Sequence, residues 1–221
     1  MDKFSILKHH FGHDAFRPGQ EALVDGILSG RDALGIMPTG GGKSLCYQVP
    51  ALLLPGMTLV VSPLISLMKD QVAALEAAGI AAAFLNSSQT LEESRQVWSR
   101  VRRGACRLLY VAPERLENQR FLELAADLEI PLVAVDEAHC ISQWGQDFRP
   151  SYLKIAEFVS ALPRRPVLAA FTATATAQVQ EDIVRQLELG EPVRVVTGFD
   201  RQNQFFDVRR PRKKLPELLS Q

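Results

Sequence analysis

The feature that most constrains this chain is the run Pro38-Thr39-Gly40-Gly41-Gly42-Lys43-Ser44, set between an apolar stretch at 33–37 and a second, helix-like apolar stretch. Consecutive glycines let a backbone turn tightly and aim its N–H groups inward. A helix starting directly behind such a turn adds unpaired N–H groups and the positive end of its dipole. With a cation at Lys43 and a hydroxyl at Ser44, this is the chemistry of a phosphate-binding loop. Thr39, Gly40, Gly41 and Gly42 cradle the phosphates of ATP, Lys43 meets the β- and γ-oxygens, and Ser44 offers its hydroxyl to magnesium. The strict G-x-x-x-x-G-K-S spacing would need a glycine at Met37, so the form present is the shorter T-G-x-G-K-S.

A loop of this kind needs a strand in front and a helix behind, and the rest of the chain supplies that rhythm. Strands are expected at 33–37, 57–62, 81–85, 107–111, 132–135, 167–171 and 193–197. They are nearly all apolar, as in a parallel sheet covered on both faces. Between them lie helical patterns. Ile65, Met68, Val72 and Leu75 step by three and four up to Gly79, a plausible C-cap. Thr90 and Glu93 form a capping box opening a helix to Arg103. Tyr152, Ile155, Val159 and Leu162 follow Pro150, and Val179, Ile183 and Leu187 mark a further face with Thr174 or Thr176 as its cap. The fold class is α/β, a doubly wound, mostly parallel sheet. Residues 1–203 make one lobe. Residues 204–221, with a strand-like run at 204–208 and a basic run at 209–214, read as a linker and the start of a second lobe.

A second acidic signal completes the chemistry. The apolar run 132–135 passes straight into Asp136 and Glu137, which places two carboxylates at the carboxyl edge of the sheet beside the phosphate loop. Asp136 would hold magnesium and Glu137 would polarise the attacking water. His139 is a relay towards neighbouring segments, because no partner ligands are spaced near it. Lysine plus arginine and aspartate plus glutamate number 25 each, which excludes a wholesale polyanion coat but leaves room for a local nucleic-acid groove. Cys46, Cys106 and Cys140 form no C-x-x-C pair and read as reduced, buried thiols. The charged start of the chain and the lack of a long apolar run point to a cytoplasmic protein without a membrane span.

At this point the chain resembles the RecQ family of ATP-dependent DNA helicases, within superfamily 2, whose first motif has the same T-G-x-G-K-S form. The segment from Phe11 to Gln20 is similar to the family's most N-terminal motif, in which an arginine and a glutamine read adenine; this implies Arg17 and Gln20 here. Many members carry tyrosine where this chain has His13. The segments from Ser62 to Val72 and from Tyr110 to Leu116 resemble DNA-contacting motifs. Both start at strand ends, so their backbone N–H groups, Ser62, Lys69 and Arg115 are expected to meet phosphates. The segment from Phe171 to Ala175 resembles the motif that links hydrolysis to strand movement, implying Thr172 and Thr174.

The most discriminating stretch runs from Ile141 to Pro150. It resembles the family's aromatic-rich loop, which senses single-stranded DNA and reports to the ATP site. This implies Gln143, Trp144, Phe148 and Arg149, with the two aromatics able to stack on bases at about 1–3 kcal/mol each. The resemblance implies 3′-to-5′ unwinding of partially duplex DNA in recombination and repair, and a second RecA-like lobe that carries the arginine finger. An RNA helicase of the same superfamily fits the D-E-A-H spelling, but the loop around Trp144 argues against it. A nucleotide-dependent DNA-binding module without turnover of its own is the remaining alternative for the lobe alone.

Overall fold

A computed structural model describes residues 1–198 of the chain. The strand expected at 204–208 and the basic run 209–214 lie outside the described residues. Seven parallel strands form one sheet in the order β3-β4-β2-β5-β6-β1-β7. They are β1 (Ala33–Ile36), β2 (Thr58–Val61), β3 (Ala82–Leu85), β4 (Leu108–Val111), β5 (Leu132–Val135), β6 (Val167–Thr172) and β7 (Val193–Val196). Each lies where the apolar runs predict it, within a residue at either end.

Among the described residues, eight α-helices accompany the strands. They are α1 (Lys3–Phe11), α2 (Gln20–Leu28), α3 (Leu45–Leu53), α4 (Ile65–Ala77), α5 (Leu91–Arg102), α6 (Gln119–Ala126), α7 (Lys154–Ala161) and α8 (Ala177–Gln186). Their ends follow local chemistry. The Thr90 hydroxyl accepts from Glu93 N–H while the Glu93 carboxylate accepts from Thr90 N–H, the reciprocal box read from the sequence. Gly79 has φ 76°, and the pair of bonds Gly79 N–H to Glu76 O and Ile80 N–H to Leu75 O closes α4 with a Schellman motif. Thr176, not Thr174, caps α8 by accepting from Val179 N–H. Pro150 starts a 3-10 turn (Pro150–Leu153) that runs into α7.

Side chains alternate across the sheet and fill two cores. Ile36, Val61, Leu109 and Val135 pack with Val97 of α5, Phe121 of α6, Phe158 of α7 and Ile183 of α8. Ala33, Val60, Ala134 and Phe171 pack on the other side with Leu23 of α2, Tyr47 of α3 and Met68 of α4. Burial on both faces explains the near-continuous apolar strands. The edge strand β7 departs from that expectation, with Arg194 and Val196 exposed. All three cysteines are free and buried. Among the described residues no helix is long and apolar enough to cross a membrane.

At the amino edge, a residue that the sequence does not single out ties three segments together. Asp32 is 3% exposed. Its carboxylate accepts from Arg165 Nη1 (3.1 Å) and Nη2 (2.6 Å), from Leu168 N–H (2.9 Å) and from Gly190 N–H (2.7 Å). Asp32→Ala strands the buried Leu168 N–H, and an unsatisfied buried donor costs about 1–3 kcal/mol. Adding the Gly190 bond, we expect a loss of about 2–3 kcal/mol, a fall in melting temperature of about 4–12 °C for a domain of this size. Calorimetry checks this, and Asp32→Asn, which keeps one acceptor, is expected to lose less.

Candidate nucleotide site and its coupling loop

Strand order decides what meets what. Along the carboxyl edge, β6 lies between β5 and β1, so the Asp136–Glu137 pair and the phosphate loop flank Thr172. On the far side of β5, β2 and β4 bring Ser62 and Arg115 to the same edge. Nucleotide chemistry therefore sits at one end of the row, candidate polyanion contacts at the other, and the acids between them.

In the phosphate loop Gly40 and Gly42 have φ near 78° and 79°, the left-handed region that disfavours side chains. A Cβ on Gly42 would come within 2.3 Å of Gln20 Nε2. Lys43 Nζ donates to the Met37 carbonyl at 3.1 Å, and its charge acts at longer range on Asp136 and Glu137. Arg17 and Gln20 lie on this loop. Arg17 donates to Gly40 O, Gln20 Nε2 donates to Gly41 O (3.3 Å) and Gly42 O (3.0 Å), and Gln20 Oε1 accepts from Arg17 N–H (2.8 Å). Gln20 is 1% exposed with both ends of its amide engaged. Here the two residues brace the loop, and a purine reaches them only by replacing those bonds. His13 is exposed.

Behind the loop, a polar network missed by the sequence reading ties α3 to α4. Gln48 Nε2 donates to Gln71 Oε1 at 2.9 Å and to Tyr110 Oη at 3.2 Å. Gln48 is buried, so these bonds carry its desolvation.

The acid pair is held unusually. Glu137 has φ 47°, uncommon for a residue with a side chain and worth a functional reading. Asp136 is buried, accepts Glu137 N–H at 3.0 Å, and its carbonyl accepts the Tyr152 hydroxyl at 2.8 Å. Burial, and then the Glu137 charge, push the Asp136 carboxyl up to about 6. The hydrogen bond from His139, against burial, holds the Glu137 carboxyl below the usual range. The Cys140 sulfur 3.9 Å from Nε2, with the Glu137 carboxylate 3.3 Å from Nδ1, raises the His139 imidazole.

Asp136 supports a pH prediction. Its folded value lies above the carboxyl's ordinary value of about 3.9, so it contributes stability below that value and loses it as pH rises through 6. A divalent cation needs the deprotonated form. Magnesium with nucleotide is therefore expected to raise the melting temperature more at about pH 7.5 than at about pH 5.5. Thermal shift checks it, and the difference should vanish in Asp136→Asn.

His139 reaches the end of β6. Its Nδ1 lies 2.8 Å from Thr172 Oγ1, and that hydroxyl donates to Thr174 O at 3.2 Å, leaving a lone pair to accept from the imidazole. Thr172 is fully buried and Thr174 is exposed. The contact of Thr172 is thus inside the lobe.

The aromatic loop is anchored below and open above. Ser142 Oγ donates to Asp182 Oδ2 of α8 at 2.8 Å and accepts from Trp144 N–H at 3.2 Å. A Cβ on Gly145 would lie 2.3 Å from His139 O, so the turn admits only glycine. Trp144 is 70% exposed, Gln143 is exposed and Phe148 is half-buried. Arg149 N–H donates to Cys140 O at 2.8 Å, and its guanidinium meets Asp147 (2.8 Å) and the Pro63 carbonyl (3.3 Å). This loop therefore touches both the acid segment and the end of β2. Neither Ser142 nor Asp182 stands out in the sequence, because their pairing spans distant positions.

One expected phosphate contact is corrected. Ser62 is 1% exposed and its N–H is taken by Val111 O, so neither group is presented outward. The parallel ladder continues one residue past β2 and turns that serine inward. Lys69 is exposed on α4, and Arg115 is partly buried with Nη2 on the Asn86 carbonyl at 2.8 Å.

A parallel sheet with a glycine cradle, a lysine behind it and a strand-end acid pair defines a P-loop nucleotide-binding lobe. The family model described as DEAD/DEAH box helicase matches residues 17–183, and the chain belongs to that family. A Bacillus subtilis protein named ATP-dependent DNA helicase RecQ is 50% identical over 205 residues, covering 92% of this chain and 35% of the relative. Its counterpart of the same name in Haemophilus influenzae is 48% identical over 214 residues, covering 97% of this chain and 34% of the relative. The chain spans about a third of the length of these curated relatives and matches their N-terminal helicase domain. Among solved structures, a DUF1998 helicase MrfA bound to DNA superposes with TM-score 0.69 at 16% identity, over 89% of this chain and 29% of that one. The yeast DEAD-box splicing factor Prp28 superposes with TM-score 0.68 at 18% identity, over 89% of this chain and 48% of that one. These two likenesses establish the fold.

Proposed function

We propose that residues 1–203 are the ATP- and magnesium-binding first lobe of a RecQ-type, 3′-to-5′ ATP-dependent DNA helicase acting in recombination and repair. The observation that carries this reading is the placement of an exposed Trp144 on a loop anchored to the acid segment. Gly40, Gly41 and Gly42 with Lys43 would hold the phosphates, and Ser44 and Asp136 would hold magnesium, which suits hard oxygen donors. That ion would supply charge neutralisation during phosphoryl transfer. The low carboxyl value of Glu137 keeps it ionised at neutral pH and able to orient a water. A DNA strand would run past Lys69, Arg115, Gln143, Trp144, Phe148 and Arg149, with Thr174 at the margin and Thr172 and His139 carrying the signal inward.

Residues 204–221 are proposed to lead into a second lobe, whose arginine completes the cleft. The test is phosphate release by the 221-residue chain with and without single-stranded DNA. Weak nucleotide binding and poor turnover are expected, since an arginine finger is worth about 10³–10⁵ in rate. Brisk DNA-stimulated turnover by the lobe alone would overturn the incomplete-cleft reading. Preference for RNA over DNA oligonucleotides would favour the RNA helicase alternative instead.

A further inference from the structure

A groove between α5 and α6, well away from the phosphate loop, gathers five arginines, Arg95, Arg102, Arg103, Arg115 and Arg120, against two carboxylates, Glu123 and Asp127. None of the five is in an ion pair among the described residues. In a chain of zero net charge this is a local positive field, with five arginines set against two carboxylates that pair with none of them. The positions explain it. Leu91, Arg95, Trp98 and Arg102 fall at helical spacing on one face of α5, while Ser94, Val97 and Val101 fall on the buried one. Trp98 leans on Phe121 of α6 at 6.1 Å between ring centroids and forms part of the groove wall.

The groove is continuous with the carboxyl edge. Arg115 and Gln89, which follow β4 and β3, line its upper end. From there α5 runs towards the amino edge for 12 residues, about 18 Å. We propose that this groove is a second nucleic-acid path, which takes the phosphodiester backbone of a DNA strand as it leaves the carboxyl edge past Arg115. The proposal rests on the DNA-binding reading above. Arg95 and Arg102 stand about 10 Å apart along the helix, the rise of about three nucleotides in one strand of a duplex. An acidic peptide would meet the same charge, but continuity with the DNA-facing edge favours the nucleic acid.

The experiment compares the protein with Arg95→Gln/Arg102→Gln/Arg103→Gln, using oligodeoxythymidines of about 8 and about 30 nucleotides. The long oligomer is expected to bind the variant at least tenfold more weakly. The slope of log affinity against log salt should fall by about 2, from about 0.7 per lost phosphate contact. The short oligomer, held at the edge, should bind both proteins alike. Arg102→Gln/Arg120→Gln, with one change on each wall, should show a smaller loss in the same direction. The chain has two tryptophans, so a Trp144→Phe background leaves Trp98 as the reporter. Its fluorescence should change with the long oligomer and not with the short one. Equal losses for both lengths, or no loss for either, overturn the groove assignment. So does competition by a glutamate-rich peptide that the long oligomer cannot match. Failure of the unaltered protein to bind either oligomer instead sinks the DNA reading itself, and this path with it.

Discussion

Lys43→Ala is expected to lower ATP turnover by at least about 10²–10³-fold, the usual loss when one preorganised donor to developing charge is removed. Lys43 Nζ rests on a backbone carbonyl 3.1 Å away and is in no ion pair among the described residues, so a phosphate can take its amine without breaking one. The loop itself does not depend on that amine. Its turn is held by Gly41 N–H on Pro38 O at 2.8 Å and by the Gln20 amide on Gly41 and Gly42. The variant should therefore keep its melting temperature to within about 4 °C, since losing one partly buried bond is worth about 1 kcal/mol. Phosphate release at saturating nucleotide, read beside a melting curve, separates the two effects. A well-folded variant that retained a tenth of the activity would remove Lys43 from the phosphate-binding role.

Most of the fold could be read because it is written locally. Seven apolar runs gave seven strands, since a strand buried on both faces has no polar alternation to disguise it. The Thr90–Glu93 box and the Gly79 cap also depend only on residues a few positions apart. The phosphate loop and acids could be read for a related reason. Each sits at a strand end, and a parallel sheet gathers all its carboxyl ends on one edge.

What stayed hidden is non-local. Asp32 looks like any acid before a strand until Arg165, Leu168 and Gly190 converge on it. Ser142 depends on Asp182, forty positions away on α8. The helices α1 and α6 are short, with only Ile6 and Leu7 buried in one and Phe121, Leu124 and Ala125 in the other, too few turns for a period to stand out. Ser62 fails for a different reason. A strand end is ordinarily exposed, whereas here the ladder runs one residue further and buries it. Arg17 and Gln20 are a further case, since their bonds to the Gly40, Gly41 and Gly42 carbonyls cross more than twenty positions.

Trp144→Ala is expected to bring the DNA-stimulated rate of the two-lobe enzyme down towards its DNA-free rate while nucleotide affinity holds. The side chain is 70% exposed and is in no aromatic ring pair among the described residues. Yet its backbone is fixed, with its N–H on Ser142 Oγ and the Gly145 turn pressed against His139 O. A base stacked on the indole therefore pulls on a segment shared with the Glu137–His139 pair. Loss of one stack is worth about 1–3 kcal/mol, roughly a 5–150-fold weakening of the DNA response. Ser142→Ala separates anchoring from stacking. It leaves the indole in place but frees the turn, so DNA should still bind while stimulation falls. Titrating turnover against single-stranded DNA reads both variants, as a shifted half-saturation with a lowered plateau for Trp144→Ala and a lowered plateau alone for Ser142→Ala. If Trp144→Ala kept the unaltered protein's half-saturation and plateau, the loop would be surface and the acid segment would take its signal from elsewhere.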